Sequence, residues 1–172
     1  MMVITTSRKP SQRTRSFVND LARILNAKIL TRGKTPLKDI LNEYNKLIVV
    51  GEYKGNPGKI KFYDVNRNKI ISILISAKLQ REVCEEETAN LKGKISMEFM
   101  GNAKKYRKLF YDFFSNFNIV NDNSPFRMCF EGSSSDKNIF YIQFYENDKK
   151  IGPLIIVKSL KILEVNKDIN MI

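Results

Sequence analysis

The sequence predicts an α/β fold built from two similar halves, each a mixed β-sheet with packed helices. Three observations predict it. Apolar spacing over the first fifty residues alternates between strand and helix periods. Two strand–turn–strand segments, at 59–77 and 139–157, resemble each other residue by residue. A run of aromatic residues at helical spacing lies between them.

The elements follow in order. Residues 3–6 read as a short strand. Pro10-Ser11 supplies a helix start, with Ser11 as N-cap. Phe17, Leu21, Ile24 and Leu25 then form an amphipathic stripe, leaving Gln12, Arg15, Asn19 and Arg23 on the polar face. Residues 29–31 make a second short strand. Thr35 reads as the next N-cap with Pro36 at the first helical position, ahead of Leu37, Ile40, Leu41 and Tyr44. The apolar run 47–50 predicts a buried, parallel strand. Residues 51–58 read as a turn-rich loop. Residues 59–65 and 69–77 form a hairpin around Asn66-Arg67-Asn68. Charged residues at 79–92, with Glu85, Glu86 and Glu87 in a row, form the connection between halves.

The second half repeats the plan. Residues 93–99 predict a strand. Ala103, Tyr106, Leu109, Phe110, Phe113, Phe114 and Phe117 line one side of a helix, and that stripe is core. Residues 126–130 are a further apolar run. Residues 138–145 and 150–158 are a second hairpin. Ile60-Lys61-Phe62-Tyr63-Asp64 matches Ile142-Gln143-Phe144-Tyr145-Glu146, and Ile73-Leu74-Ile75 matches Leu154-Ile155-Ile156. The halves are therefore placed at 1–78 and 93–163 within one domain spanning 1–172.

Composition narrows the class. The chain has 172 residues and 42% hydrophobic content, enough for one domain with a sizeable core. There is no histidine, and Cys84 and Cys129 form no CxxC pair. No metal site, cofactor or disulfide framework is expected, and each cysteine reads as a small buried hydrophobe in a reducing, cytoplasmic setting. The N-terminal residues do not follow a signal-peptide pattern, and no apolar run is long enough to span a membrane.

Charge points to a partner. Thirty Lys and Arg face eighteen Asp and Glu, a net charge of +12. Residues 1–34 carry eight basic side chains and one acidic one, Asp20. Such an excess favours a polyanion through counterion release. Within it, Thr6, Ser7 and Ser11 offer hydroxyls, and Arg8, Lys9, Arg13 and Arg15 crowd a helix start. Backbone N–H groups there already favour an anion, while clustered cations oppose the helix dipole. An external phosphate backbone would resolve the conflict.

The segment Ile4-Thr5-Thr6-Ser7-Arg8-Lys9-Pro10-Ser11-Gln12-Arg13 resembles the opening of Brix-domain proteins. Two later segments agree. Arg32-Gly33-Lys34 followed by Leu37-Lys38-Asp39-Ile40 resembles that family's RG-then-helix element, and residues 47–57 resemble its buried strand and basic-Gly loop. The resemblance is strong over 3–60 and loose beyond. The short length without charged tails resembles the archaeal form. The resemblance implies a fold of two α/β halves like the anticodon-binding domains of class II aminoacyl-tRNA synthetases. It also implies a role in ribosomal RNA processing and subunit assembly. One departure matters: Tyr53-Lys54-Gly55 stands where eukaryotic members often have His-Arg-Gly, so a bidentate arginine contact is lost.

The expected RNA-contact residues are Thr6, Ser7, Arg8, Lys9, Ser11, Arg13, Arg15, Arg32, Lys34, Lys54 and Lys59. The expected partners are precursor ribosomal RNA or other structured RNA, with ribosomal proteins or other assembly factors beside it, and no membrane. Residues 51–59 fail as a nucleotide-binding loop, since Ile60 replaces the required hydroxyl and a strand follows. Asp64 and Glu146 lie in separate hairpins and suggest no shared acid–base site. With no nucleophile–base pair, the chain is expected to be non-catalytic. Two other readings remain, a scaffold that recruits ribosomal proteins and a tRNA-binding module. Salt dependence separates the first from RNA binding, and a choice between tRNA and ribosomal RNA fragments separates the second.

Overall fold

The computed structural model describes residues 2–84, 94–115, 117, 119–120 and 124–170. Most of the expected connection, with Glu85, Glu86 and Glu87, and the start of the strand expected from 93 lie outside these residues. The chain runs β1 (Val3–Thr6), α1 (Gln12–Leu25), β2 (Lys28–Ile29), α2 (Leu37–Glu43), β3 (Lys46–Tyr53), β4 (Asn56–Asp64), β5 (Lys69–Lys78) and α3 (Gln80–Val83). It continues with β6 (Ile95–Met100), a 3-10 segment (Gly101–Tyr106), α4 (Arg107–Phe114), β7 (Ile119–Val120), β8 (Phe126–Gly132), β9 (Phe140–Glu146), β10 (Lys149–Leu163) and α5 (Val165–Asn170).

The strands form one ten-stranded mixed sheet in the order β2-β1-β3-β4-β5-β10-β9-β8-β6-β7. Read inward from either edge, the pairings are parallel, parallel, antiparallel and antiparallel. The expectation of a separate sheet in each half is corrected. β5 and β10 pair antiparallel from Leu154–Lys78 to Leu163–Ile70 and join all strands into one sheet. β10 can do this because it runs on to Leu163, past the expected end at 158, through a bulge between Val157 and Ser159.

Other boundaries differ for local reasons. Residues 51–58 are a β-hairpin rather than a loop. Its turn is Lys54-Gly55, both with positive φ (51° and 78°), the geometry that matches strand twist. α2 is capped by Pro36, not Thr35, because Pro36 is extended at ψ 146°. The aromatic helix opens with a 3-10 segment before α4, and β2 and β7 are two-residue strands.

Apolar periodicity decides where the core sits. One cluster joins α1, through Phe17 and Leu21, to Phe62 and Ile73 of the first hairpin. It also takes in Phe110, Phe113 and Phe114 of α4 and Phe130, Phe140 and Phe144 of β8 and β9. The Phe62 ring meets Phe110 edge-on at 5.6 Å and Phe113 at 5.3 Å, while Phe110 lies 4.8 Å from Phe130. Burying each such ring contributes roughly 1.5–3 kcal/mol. On the other sheet face a smaller cluster holds Val3, Leu37, Ile40, Leu41, Leu47, Tyr63, Ile70 and Val165. Here α5 is pinned by Asp168, whose carboxylate accepts from Tyr63 Oη at 2.7 Å and Lys61 Nζ at 2.9 Å. Cys129 is buried as expected, and burial pushes its thiol up to about 12, with Glu98 adding to the shift; Cys84 is half-buried. No described helix is long and apolar enough to cross a membrane.

Candidate nucleic-acid interface

β1 lies inside the sheet between β2 and β3, and its C-terminal end delivers residues 7–11 to one end of the strands as the short loop into α1. Backbone bonds hold that loop. The Ser7 N–H donates to the Val50 carbonyl at 2.9 Å, and Thr5 Oγ1 donates to the Leu30 carbonyl at 2.7 Å. Lys9 takes φ 52°, which costs a non-glycine residue about 1 kcal/mol.

Ser11 caps α1, its Oγ accepting from the Thr14 N–H at 3.2 Å and donating to the Gly55 carbonyl at 2.7 Å. Its own N–H donates to Glu52 Oε1. Ser11 thus braces the tip of the β3–β4 hairpin against the helix. Burial pushes the Glu52 carboxyl up, but hydrogen bonds from Ser11 and Thr14 and the charge of Arg15 outweigh it and hold the group below its ordinary value. The helix N-terminus is therefore already met by an internal carboxylate. Ser11→Ala is expected to cost about 1 kcal/mol, read as a lower thermal midpoint.

The basic residues of the opening motif separate. Arg13 Nη2 pairs with Glu82 Oε1 at 2.7 Å and reaches the Ala77 carbonyl at 3.4 Å, so Arg13 ties α1 to α3. Thr6, Ser7, Lys9 and Arg15 instead line a cleft of about 280 Å³ with Arg32, walled by Pro10, Val18, Asn19 and Leu30. Arg8 is exposed beside it, close enough to act on Arg32. Burial lowers the Arg32 pKa, and the like charge of Arg8 lowers it further. Arg32 is oriented by a bond from Nε to the Thr35 carbonyl at 3.3 Å. Among the described residues, no carboxylate lies within ion-pair distance of Arg8, Lys9, Arg15 or Arg32.

The other expected contacts lie elsewhere. Lys34 is exposed beyond Gly33 and does not line the cleft. Lys54 and Lys59 stand on the β3–β4 hairpin, along a separate groove. Asn19, read first as part of a plain polar face, borders the cleft because β2 packs beside α1.

No family model matches the sequence. A protein of Methanococcus maripaludis, described as "Probable Brix domain-containing ribosomal biogenesis protein", is 41% identical over 168 residues, covering 95% of this chain and 99% of the relative. The chain belongs to that Brix family. A Brix relative from Methanosarcina barkeri is 33% identical over 114 residues, covering 65% of this chain and 71% of its own. Two solved structures share the Brix protein's fold. A "probable ribosomal biogenesis protein from Aeropyrum pernix K1" superposes with TM-score 0.70 at 25% identity, covering 92% of this chain and 95% of that one. An archaeal Imp4-like protein gives TM-score 0.67 at 23% identity, with 94% and 100% covered.

Proposed function

We propose that this Brix protein serves ribosome biogenesis by binding precursor ribosomal RNA, and that it holds RNA in place rather than making or breaking bonds. The observation that carries the proposal is the cleft at the end of β1, where Arg8, Lys9, Arg15 and Arg32 gather around Thr6 and Ser7 with no described carboxylate in ion-pair range. A partly buried Arg32 held beside the like charge of Arg8, with Lys9 and Arg15 on the same cleft, calls for an anion from outside. A run of phosphates satisfies cations and hydroxyls together, and such contacts position RNA without reading its sequence. Arg13 and Ser11 then support the site from behind, through Glu82 and the β3–β4 hairpin.

The same reading takes the two halves as copies of one unit, of the kind found in class II anticodon-binding domains. It is supported by the shared pairing order from either sheet edge and by the match of the two hairpins. Ribosomal proteins or other assembly factors remain as additional partners.

A labelled fragment of structured ribosomal RNA tests the function. If about five phosphates are neutralised, raising salt from about 50 to 200 mM should weaken binding on the order of a hundredfold. Affinity indifferent to salt, or no binding at the lower salt, would favour the protein scaffold. Preference for tRNA over ribosomal fragments would favour the tRNA module.

A further inference from the structure

A second groove lies apart from the cleft, beside the β3–β4 hairpin. Its volume is about 640 Å³, within the range of small-ligand sites. Ile60 and Ile73 pair across β4 and β5 and both enter the core. Strand alternation then turns the adjacent pair, Lys59 and Leu74, to the other face of the sheet. Leu74 is 44% exposed there. Tyr53, at the hairpin tip, is 67% exposed, and Lys54 Nζ lies 5.3 Å from the centre of its ring. On the far side, the β-bulge in β10 between Val157 and Ser159 brings Lys158 to the rim.

Two details indicate that the aromatic wall is built rather than incidental. Gly58 lies against Tyr53, and a Cβ there would stand 2.7 Å from the Tyr53 Cβ. Glycine is required for this approach, a role distinct from the turn-forming one that its neighbours suggest. Glu52, the groove's carboxylate, is turned to the Ser11 N–H and does not oppose the three lysines.

We propose that this groove seats an unpaired nucleotide of RNA, with its base stacked on Tyr53 against Leu74 and its flanking phosphates on Lys54, Lys59 and Lys158. The inference rests on the RNA-binding reading above and adds to it a contact with a base. An exposed aromatic ring beside an apolar side chain, rimmed by cations, is the combination that binds single strands without sequence preference. Charge complementarity selects the polyanion over an apolar protein segment.

The test uses the full chain with a short uridine oligonucleotide and a blunt RNA duplex of equal length as probes. Tyr53→Ala should weaken oligonucleotide binding roughly tenfold to a hundredfold, leave the salt slope unchanged, and leave duplex binding unchanged because paired bases are already stacked. Tyr53→Phe should bind like the wild type. Lys158→Gln should lower the salt slope by about 0.7. Wild-type binding that Tyr53→Ala leaves intact would overturn the groove while the RNA reading stands. So would equal losses on both probes, or a Tyr53→Phe as weak as Tyr53→Ala. Failure of the wild type to bind either probe would overturn both. Competition by an acidic aromatic peptide as strong as by the oligonucleotide would assign the groove to a protein. A wild-type dimer that Tyr53→Ala returns to monomer in sedimentation would assign it to a second copy of the chain.

Discussion

Replacing Arg8, Lys9, Arg15 and Arg32 together by glutamine is expected to weaken binding to structured RNA about a thousandfold at 0.1 M salt. Each neutralised phosphate contributes roughly 0.7–0.9 of a decade of affinity at that ionic strength, through the counterions it releases, so four amount to about three decades. The four cations share one cleft or its margin, so one stretch of backbone can meet all of them. The matched control changes Lys94, Lys137, Lys150 and Lys161, which are exposed and scattered. It removes the same net charge but acts only at long range, where salt screens beyond about 10 Å, and a loss within about threefold is expected. Fluorescence anisotropy on one RNA reads both variants. Equal losses would show that net charge, not the cleft, holds the RNA. Stability should stay within about 1 kcal/mol of the wild type, since none of the four has a carboxylate partner among the described residues. Arg13 is left out because it bonds to Glu82 and the Ala77 carbonyl, and its removal would loosen α1 from α3.

Phe110→Ala should be the most damaging single core substitution, with an expected loss of about 3–5 kcal/mol in denaturant unfolding. Phe110 is 0% exposed and touches Phe62 from the first hairpin, Phe140 from the second and Phe130 from β8. Against a typical total stability of about 5–15 kcal/mol, such a loss leaves little in reserve. The same contacts predict how the chain unfolds. The larger core cluster takes residues from both ends of the sequence, so far-ultraviolet dichroism and tyrosine signals should fall in one coincident transition. Two separated transitions, with only the later half shifted by the variant, would show independent cores.

The parts of the fold that are legible in sequence are those set by local pattern. The Phe17–Leu21–Ile24–Leu25 stripe suffices to place α1, because one helical face is apolar over more than two turns. The Phe110–Phe113–Phe114 cluster similarly marks α4. Both hairpins are visible in their alternation. Features that depend on distant partners are not legible. β2 and β7 are two residues long and exist only because β1 and β6 offer parallel edges. The Lys54-Gly55 turn is obscured because lysine rarely adopts positive φ, so residues 51–58 read as loop. At the site, the motif Arg8-Lys9-Pro10-Ser11-Gln12-Arg13 shows where charge accumulates but not how it divides. Glu82 is 69 residues from Arg13, and no window of sequence contains both. Lys158 is equally hidden, since only the bulge in β10 brings it to the rim of the groove that Tyr53 walls.

The strand order has a further consequence, for self-association. A sheet of ten strands would ordinarily offer two long rows of unpaired backbone donors and acceptors, each a template on which another chain can add a strand. Here the longest strand, β10, is interior, and both outer positions are held by the two-residue strands β2 and β7. The outermost described strand at either side therefore offers only a short template for a cross-chain ladder. Strand order thus limits edge pairing between copies independently of the positive charge, and that charge remains available for a partner.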